Sequence, residues 1–290
     1  MATGERNEFI TGYSNEQLPD VRNNTDQVDA GRVQCDMTQQ FKDYFSGASK
    51  DYSLYRPHYP SELFTYLASL SKYHETAWDC ATGTGQTAQK ISALYQTVIA
   101  TDASQTQLEQ AKHQLADKNN IAFEKMCAEK TNIASGSIDL LTVSQALHWF
   151  DFEKFSVEAN RVLKPGGVLA VWAYDLMSIT PAIDDVVTYL YHTVLDGYWP
   201  VERKMIENGY REINFPLREI KPPVFEMTQQ WNLTQLIGYL HTWSSIRKQL
   251  SATGGDLVEA ELNRISALWG EAEKRQTITW PLVLRVWSRE

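Results

Sequence analysis

The chain has 290 residues, 43% of them hydrophobic and 22% charged, which is the composition of a soluble globular protein with room for one elaborated domain or two small ones. Its formal net charge of -9 argues against a general nucleic-acid-binding surface, and no apolar run is long enough to span a bilayer. The N-terminus carries no signal-peptide pattern, and Cys35, Cys80 and Cys127 lack metal-ligand spacing, so a cytoplasmic protein without a metal centre or membrane partner is expected.

Residues 1–35 are polar and aperiodic and read as a flexible N-terminal arm. Tyr52 and the run Tyr55-Arg56-Pro57-His58-Tyr59-Pro60 follow. The prolines hold their predecessors extended. Ser61 then reads as an N-cap, with Leu63, Phe64, Leu67 and Leu70 on one helical face. Arg56 is thus set in a rigid connection before the first helix. There it can reach over a ligand together with Tyr52, or simply stack on surface tyrosines.

From Trp78 onward strands and helices alternate. Strands are expected at 76–80, 98–101, 122–126, 138–143 and 168–172, and helices at 86–94, 104–116 and 152–163. Lys164-Pro165-Gly166-Gly167 reads as a turn. Such alternation implies an α/β fold with a parallel sheet covered on both faces, and a ligand outside the carboxyl ends of the strands. Asp79, Asp102, the Cys127-Ala128-Glu129 segment, Ser144-Gln145-Ala146 and Trp172-Ala173-Tyr174 all fall at such ends. The stretch Asp79-Cys80-Ala81-Thr82-Gly83-Thr84-Gly85-Gln86 puts an acid before a turn of small residues that opens a helix, so a ligand can lie on bare backbone. Asp102, ending the neighbouring strand, can take two ribose hydroxyls. Two acids flanking a bare turn describe a nucleoside pocket.

Gly83-Thr84-Gly85-Gln86-Thr87-Ala88 also fits the dinucleotide fingerprint and leaves an NAD-dependent oxidoreductase as an alternative. Against it, Asp79 would face a pyrophosphate unfavourably but an α-ammonium group favourably. A helix also precedes the first strand, and the run from Ser144 to Asp151 has no role in that scheme.

After Tyr174 the rhythm breaks. The basic cluster Arg203, Lys204, Arg211, Arg218 is followed by a strand at 225–231, helices at 233–250 and 257–274, and a last strand at 278–287. The expected divisions are an arm (1–35), a cofactor-binding core (36–175), a cap and substrate region (176–275) that includes the strand at 225–231, and a final sheet strand (276–290).

The turn from Asp79 to Gln86, Asp102, the Cys127-Ala128-Glu129 loop, the run Ser144-Gln145-Ala146-Leu147-His148-Trp149-Phe150-Asp151 and Arg161-Val162-Leu163-Lys164-Pro165-Gly166-Gly167 together resemble class I S-adenosylmethionine-dependent methyltransferases. The Arg56-Pro57-His58-Tyr59-Pro60 opening and His148-Trp149-Phe150 are similar to the branch that includes trans-aconitate methyltransferases and related small-molecule enzymes. The resemblance covers roughly 40–290. It implies a Rossmann-like, seven-stranded, mostly parallel sheet with an antiparallel C-terminal strand and a helical cap. It also implies that Asp79, Ala81, Thr82, Gly83 and Gln86 hold the methionine part of S-adenosylmethionine, and Asp102 and Ala103 its ribose. Ala128 and Glu129 would flank the adenine, with Ser144, Gln145 and Ala146 beneath the methyl. Two positions depart from the family's usual residues, Ala81 for Gly and Cys127 for Asp. Ala81 is expected to need only an ordinary backbone angle, while Cys127 is a weaker adenine partner than a carboxylate.

Methyl transfer from a sulfonium is an in-line displacement in which the protein aligns the groups and excludes water. A carboxylate acceptor needs no base but does need a cation, for which Arg203, Arg211 and Arg247 are candidates. A phenol, alcohol or amine needs a base, and His148 is placed for that. Trp149, Trp172, Tyr174 and Trp243 are candidate pocket walls. Each of these residues also has an ordinary reading, as solvated surface, structural histidine or core aromatic. A small-molecule methyltransferase is expected, with a cofactor-binding protein that does not turn over as a further alternative.

Overall fold

Ala77 and Trp78 are both wholly buried, yet they belong to different cores, because successive side chains of a strand point to opposite faces. The same split recurs at Leu140 and Leu141, Ala170 and Val171, and Val286 and Trp287. A sheet with apolar side chains on both faces must be covered twice. The computed structural model describes residues 55–290, and Tyr52 and the N-terminal arm lie outside the described residues.

The helices and strands in chain order are α1 (Ser61–Leu70), β1 (Thr76–Cys80), α2 (Gln86–Ile91), β2 (Thr97–Asp102), α3 (Gln105–Gln114), β3 (Ile121–Lys125), β4 (Ile138–Ser144), α4 (Phe152–Val162), β5 (Leu163–Tyr174), α5 (Pro181–Tyr189), α6 (Lys204–Glu207), β6 (Arg218–Ile220), β7 (Glu226–Trp231), α7 (Leu233–His241), α8 (Ser244–Thr253), α9 (Asp256–Trp269) and β8 (Gln276–Ser288). The sheet has eight strands rather than the expected seven: it runs β3-β2-β1-β4-β5-β8-β6, and β7 pairs with β8 off that path. Its first five strands are parallel and β8 is antiparallel to β5, so the expected Rossmann-like architecture is present. Leu63 and Leu67 of α1 and Ala88 and Ile91 of α2 pack on one face, and Phe155, Ala159 and Val162 of α4 on the other.

The region between β5 and β8 contributes to both faces: Leu236, Ile246 and Ile265 join the first core, and Ile206, Tyr210 and Phe215 the second. β8 changes partners along its length. Leu282–Ser288 pairs with β5, while Gln276–Pro281 pairs with β7. Pro281, which has no N–H to give, sits at that changeover.

Several expectations need correcting. The helix expected over 233–250 is two helices, because Trp243 is extended (ψ 128) and turns its ring into an aromatic cluster. The following helix ends at Trp269, where Gly270 leaves helical geometry at φ 83. β6 was not expected, being three residues long and exposed on two of them. The Lys164–Gly167 turn is the irregular start of β5, with a register shift between Ile138 and Leu140. A Cβ on Gly167 would lie 2.8 Å from the Ile138 carbonyl, so this crossing of two backbones admits only glycine. Lys164 meets the buried Asp139 at 2.9 Å and Glu75 at 2.6 Å. That part of the motif is therefore structural.

Candidate active site

The turn after β1 is pinned to the tip of β2 by two hydrogen bonds, and a third fixes the Asp102 carboxylate that makes one of them. Thr82 N–H donates to the Thr101 carbonyl at 2.8 Å. Asp102 accepts from Gly83 N–H at 2.9 Å on Oδ2 and from Ser104 N–H at 2.8 Å on Oδ1. The two glycines serve different ends. At Gly85 (φ 86) a Cβ would stand 2.7 Å from Leu115, so the residue lets α2 pack closely. At Gly83 (φ 58) a Cβ would meet nothing nearer than Gln107 Oε1 at 4.0 Å, so the backbone there is open from above. Ala81 has φ 55, in the left-handed region, contrary to the expected ordinary angle. A Cβ costs energy there and glycine does not.

Asp79 is wholly buried beneath the turn, and its carboxylate accepts from Thr82 Oγ1 at 2.6 Å and Thr142 Oγ1 at 2.8 Å. Burial pushes its pKa up to about 6 despite these two hydroxyls. Gln86 caps the far side of the turn, its amide donating to the Pro57 carbonyl at 3.0 Å and so tying the Arg56–Pro60 segment to α2.

Along the β3–β4 connection, Ala128 is buried and Glu129 accepts from Asp151 N–H at 3.0 Å, which joins this loop to the N-cap of α4. Ala103 is half-buried beside Asp102. Gln107, on α3, is buried with its Oε1 unpartnered and near Gly83.

At the tip of β4, Ser144 accepts from Thr87 Oγ1 at 3.2 Å, Ala146 is buried, and Gln145 holds φ 55. Its N–H donates to the Trp172 carbonyl at 2.9 Å and its side-chain amide to the Tyr174 carbonyl at 3.4 Å, so β4 and β5 are laced together where they end. Arg56 donates to Tyr174 OH at 2.5 Å and lies over that ring.

Beyond this seam, His148 Nδ1 lies 3.0 Å from Tyr210 OH. Burial, assisted by the positive charge of Arg203, lowers the His148 pKa to about 3. The Arg203 guanidinium stacks 4.6 Å from the Trp199 ring centre and 5.0 Å from that of Tyr191, and lies 3.7 Å from Asp175 just past β5. Its Nε donates to Tyr191 OH, which in turn donates to Glu207 at 2.6 Å. Trp243 packs edge-on against Tyr191 and tilted against Trp199.

A methyltransferase-domain family model matches residues 78–171, the span from β1 through most of β5. A candidate methyltransferase of Dictyostelium discoideum is 32% identical over 223 residues, covering 76% of this chain and 83% of that protein. The chain belongs to the class I S-adenosylmethionine-dependent methyltransferases. A solved structure of a candidate type II methyltransferase from Anaeromyxobacter dehalogenans is 34% identical, covers 80% of this chain and 97% of that one, and superposes with a TM-score of 0.74. An uncharacterised methyltransferase of Schizosaccharomyces pombe is 25% identical over 83% of this chain and 94% of its own.

Within this methyltransferase frame the predicted residues separate. Asp79, Ala81, Thr82, Gly83, Asp102, Ser144 and Gln145 stand at neighbouring strand tips, with Arg56 and Tyr174 beside Gln145. His148, Trp149, Arg203 and Trp243 lie along the cap side. Trp172 is wholly buried, edge-on to Tyr59 and Phe64, and acts as core rather than as an open wall. Arg211 is exposed, and Arg247 is half-buried one turn into α8. Sequence reasoning missed Tyr191, Trp199 and Tyr210 as site residues. No local motif marks them, since Tyr210 meets His148 across 62 residues. No helix among the described residues is long and apolar enough to cross a membrane.

Proposed function

We propose that this chain binds S-adenosylmethionine across the tips of β1, β2 and β4 and transfers its methyl group to a small-molecule carboxylate. The cofactor fits the residues present. The backbone over Gly83 is open where a ligand can approach, and the turn beneath it is fixed by Asp102. Asp102 takes the ribose hydroxyls, Ala128 and Glu129 flank the adenine, Arg56 meets the methionine carboxylate, and the Asp79 charge favours its ammonium group. The bound cofactor supplies an activated methyl on a sulfonium. The protein then aligns an oxygen nucleophile with it and keeps water out, and a carboxylate, already ionised, needs no base.

The observation that carries the acceptor class is the Arg203 guanidinium, packed against the touching rings of Trp199 and Tyr191 on the His148 side of the site. A cation in an aromatic frame holds a flat anion well. The test is calorimetry with S-adenosylhomocysteine and with NAD, followed by transfer of labelled methyl to a panel of aliphatic and aromatic carboxylates. Binding of the homocysteine compound with methyl ester formation is expected. Binding without transfer to any acceptor makes the chain a cofactor-binding module, and binding of NAD alone overturns the reading.

A further inference from the structure

His148 is well placed to be taken for the base of the reaction, but its surroundings fit another role. One hydrogen bond ties it to Tyr210. That residue is 1% exposed, and among the described residues the acceptor within reach of its hydroxyl is His148 Nδ1, 3.0 Å away. A proton on Nδ1 would leave the phenol O–H buried with no acceptor, so the phenol gives its proton to Nδ1 and the ring proton sits on Nε2. Among the described residues Nε2 makes no hydrogen bond, and the residue keeps 8% exposure.

Tyr210 is itself held firmly. Its backbone is left-handed at φ 53, and its carbonyl accepts from Arg285. Arg285 also donates to the Ile213 carbonyl at 2.7 Å, pairs with Glu219 at 2.6 Å and stacks on Trp287. A non-glycine residue in that region persists only where its neighbours over-determine it. Arg203 and Tyr210 act on the imidazole, Tyr59 acts on Tyr210, and Asp175 lies 3.7 Å from the Arg203 guanidinium. Among the described residues no carboxylate hydrogen-bonds the ring to draw a second proton onto it.

We propose that His148 is a fixed hydrogen-bond donor, its Nε2–H holding an oxygen of the anionic acceptor beside the Arg203 guanidinium, with Tyr210 the positioning residue that fixes the tautomer. This rests on the methyl-transfer reading and narrows it. A neutral N–H next to a guanidinium complements an oxyanion and repels an ammonium group, so the site takes carboxylates and other acidic oxygens and rejects amines.

The test reads the imidazole directly. In 15N-labelled protein saturated with S-adenosylhomocysteine, the His148 ring is assigned by loss of its signal in His148→Gln. The neutral Nε2–H pattern is expected unchanged between about pH 5 and 8, where a free imidazole would titrate. Millimolar benzoate should shift Nε2 and benzylamine should not. Tyr210→Phe should give mixed tautomers. His148→Leu should weaken benzoate roughly tenfold or more, the worth of one hydrogen bond to a charged group, and His148→Gln should recover most of that because its amide can occupy the Nε2 position. A titration inside that pH range, an Nδ1–H tautomer, a shift with benzylamine, or no shift with benzoate overturns the proposal. Failure of S-adenosylhomocysteine to bind in calorimetry is a separate outcome that removes the methyl-transfer reading, whatever the tautomer.

Discussion

Asp102 and Gly83 are joined by a hydrogen bond of 2.9 Å, so the acid at the tip of β2 also builds the turn at the tip of β1. Its second oxygen holds Ser104 N–H at the start of α3. The carboxylate proposed to take the ribose therefore has a structural task as well. Asp102→Ala should lower stability by about 2 kcal/mol, since hydrogen bonds from backbone N–H to a charged acceptor are lost. It should also weaken S-adenosylhomocysteine by more than tenfold. Thermal melts and calorimetry measure the two effects separately. An unchanged dissociation constant removes the ribose role while leaving the structural one.

Ala81→Gly should stabilise the protein. The left-handed angle of 55° costs a residue with a Cβ about 1–2 kcal/mol, and the greater freedom of glycine in the unfolded chain returns about 0.4–1 kcal/mol of that. The expected net gain is a few tenths to 1 kcal/mol in a denaturant melt. Gln145→Gly relieves a similar angle but deletes the amide that reaches the Tyr174 carbonyl, so it should not show that gain. Loss of stability in Ala81→Gly would mean that the Ala81 methyl makes contacts worth more than the strain.

Much of this was legible beforehand because local chemistry dictates it. Alternating apolar strands and helices gave the sheet. The cap expected at Ser61 is not there, since Ser61 is the first residue of α1 and Pro60, with no side chain to accept, stands before it. Ser104, by contrast, caps α3 through Gln107 N–H. The turn and its two acids were legible from residue type and spacing. The backbone angle of Ala81 was not, because an alanine in sequence gives no sign of φ. The cap was harder still. Its geometry depends on Trp199, Tyr191 and Trp243 meeting across long separations, and on Trp243 breaking a helix that its own neighbours favour. Pairings of that kind leave no periodic trace.

Lys164 tests whether the end of the Arg161–Gly167 motif is structural. Asp139 is buried, accepts from the N–H groups of Glu75 and Thr76, and pairs with Lys164. Lys164→Met leaves that carboxylate without its cation, and a loss of about 2–3 kcal/mol is expected, discounted for the fifth of the lysine side chain that remains exposed. S-adenosylhomocysteine affinity at a temperature where the variant is folded should stay within twofold. A marked loss of affinity in the folded variant would show that this end of the sheet communicates with the cofactor.

Arg203 and Arg211 lie in one basic cluster of the sequence, but the structure separates them. Arg203 is stacked in the aromatic frame and Arg211 is exposed. Once an acceptor carboxylate is in hand, Arg203→Gln should raise its KM at least tenfold with little change in S-adenosylmethionine affinity. Arg211→Gln should leave both unchanged. Steady-state kinetics with each substrate varied decides it, and equal effects of the two substitutions would place the anion site elsewhere.

Asp79 makes a prediction in pH. Its folded pKa of about 6 lies above the ordinary 3.8, so between those values the folded protein keeps a proton that the unfolded chain has released. Its contribution to stability is full below pH 3.8, falls as pH rises towards about 6, and is constant above that. The drop is on the order of 3 kcal/mol. Asp79→Asn has no such proton to lose, so the stability difference between variant and wild type should move in the variant's favour across that window. The ammonium group of the cofactor favours the ionised form, so S-adenosylhomocysteine should bind wild type about tenfold more tightly at pH 7 than at pH 5, with release of a proton. The Asp79→Asn variant should bind more weakly and with no such pH dependence. Calorimetry in two buffers of different ionisation enthalpy counts the proton directly, and a pH-independent affinity in wild type would show that Asp79 serves the turn alone.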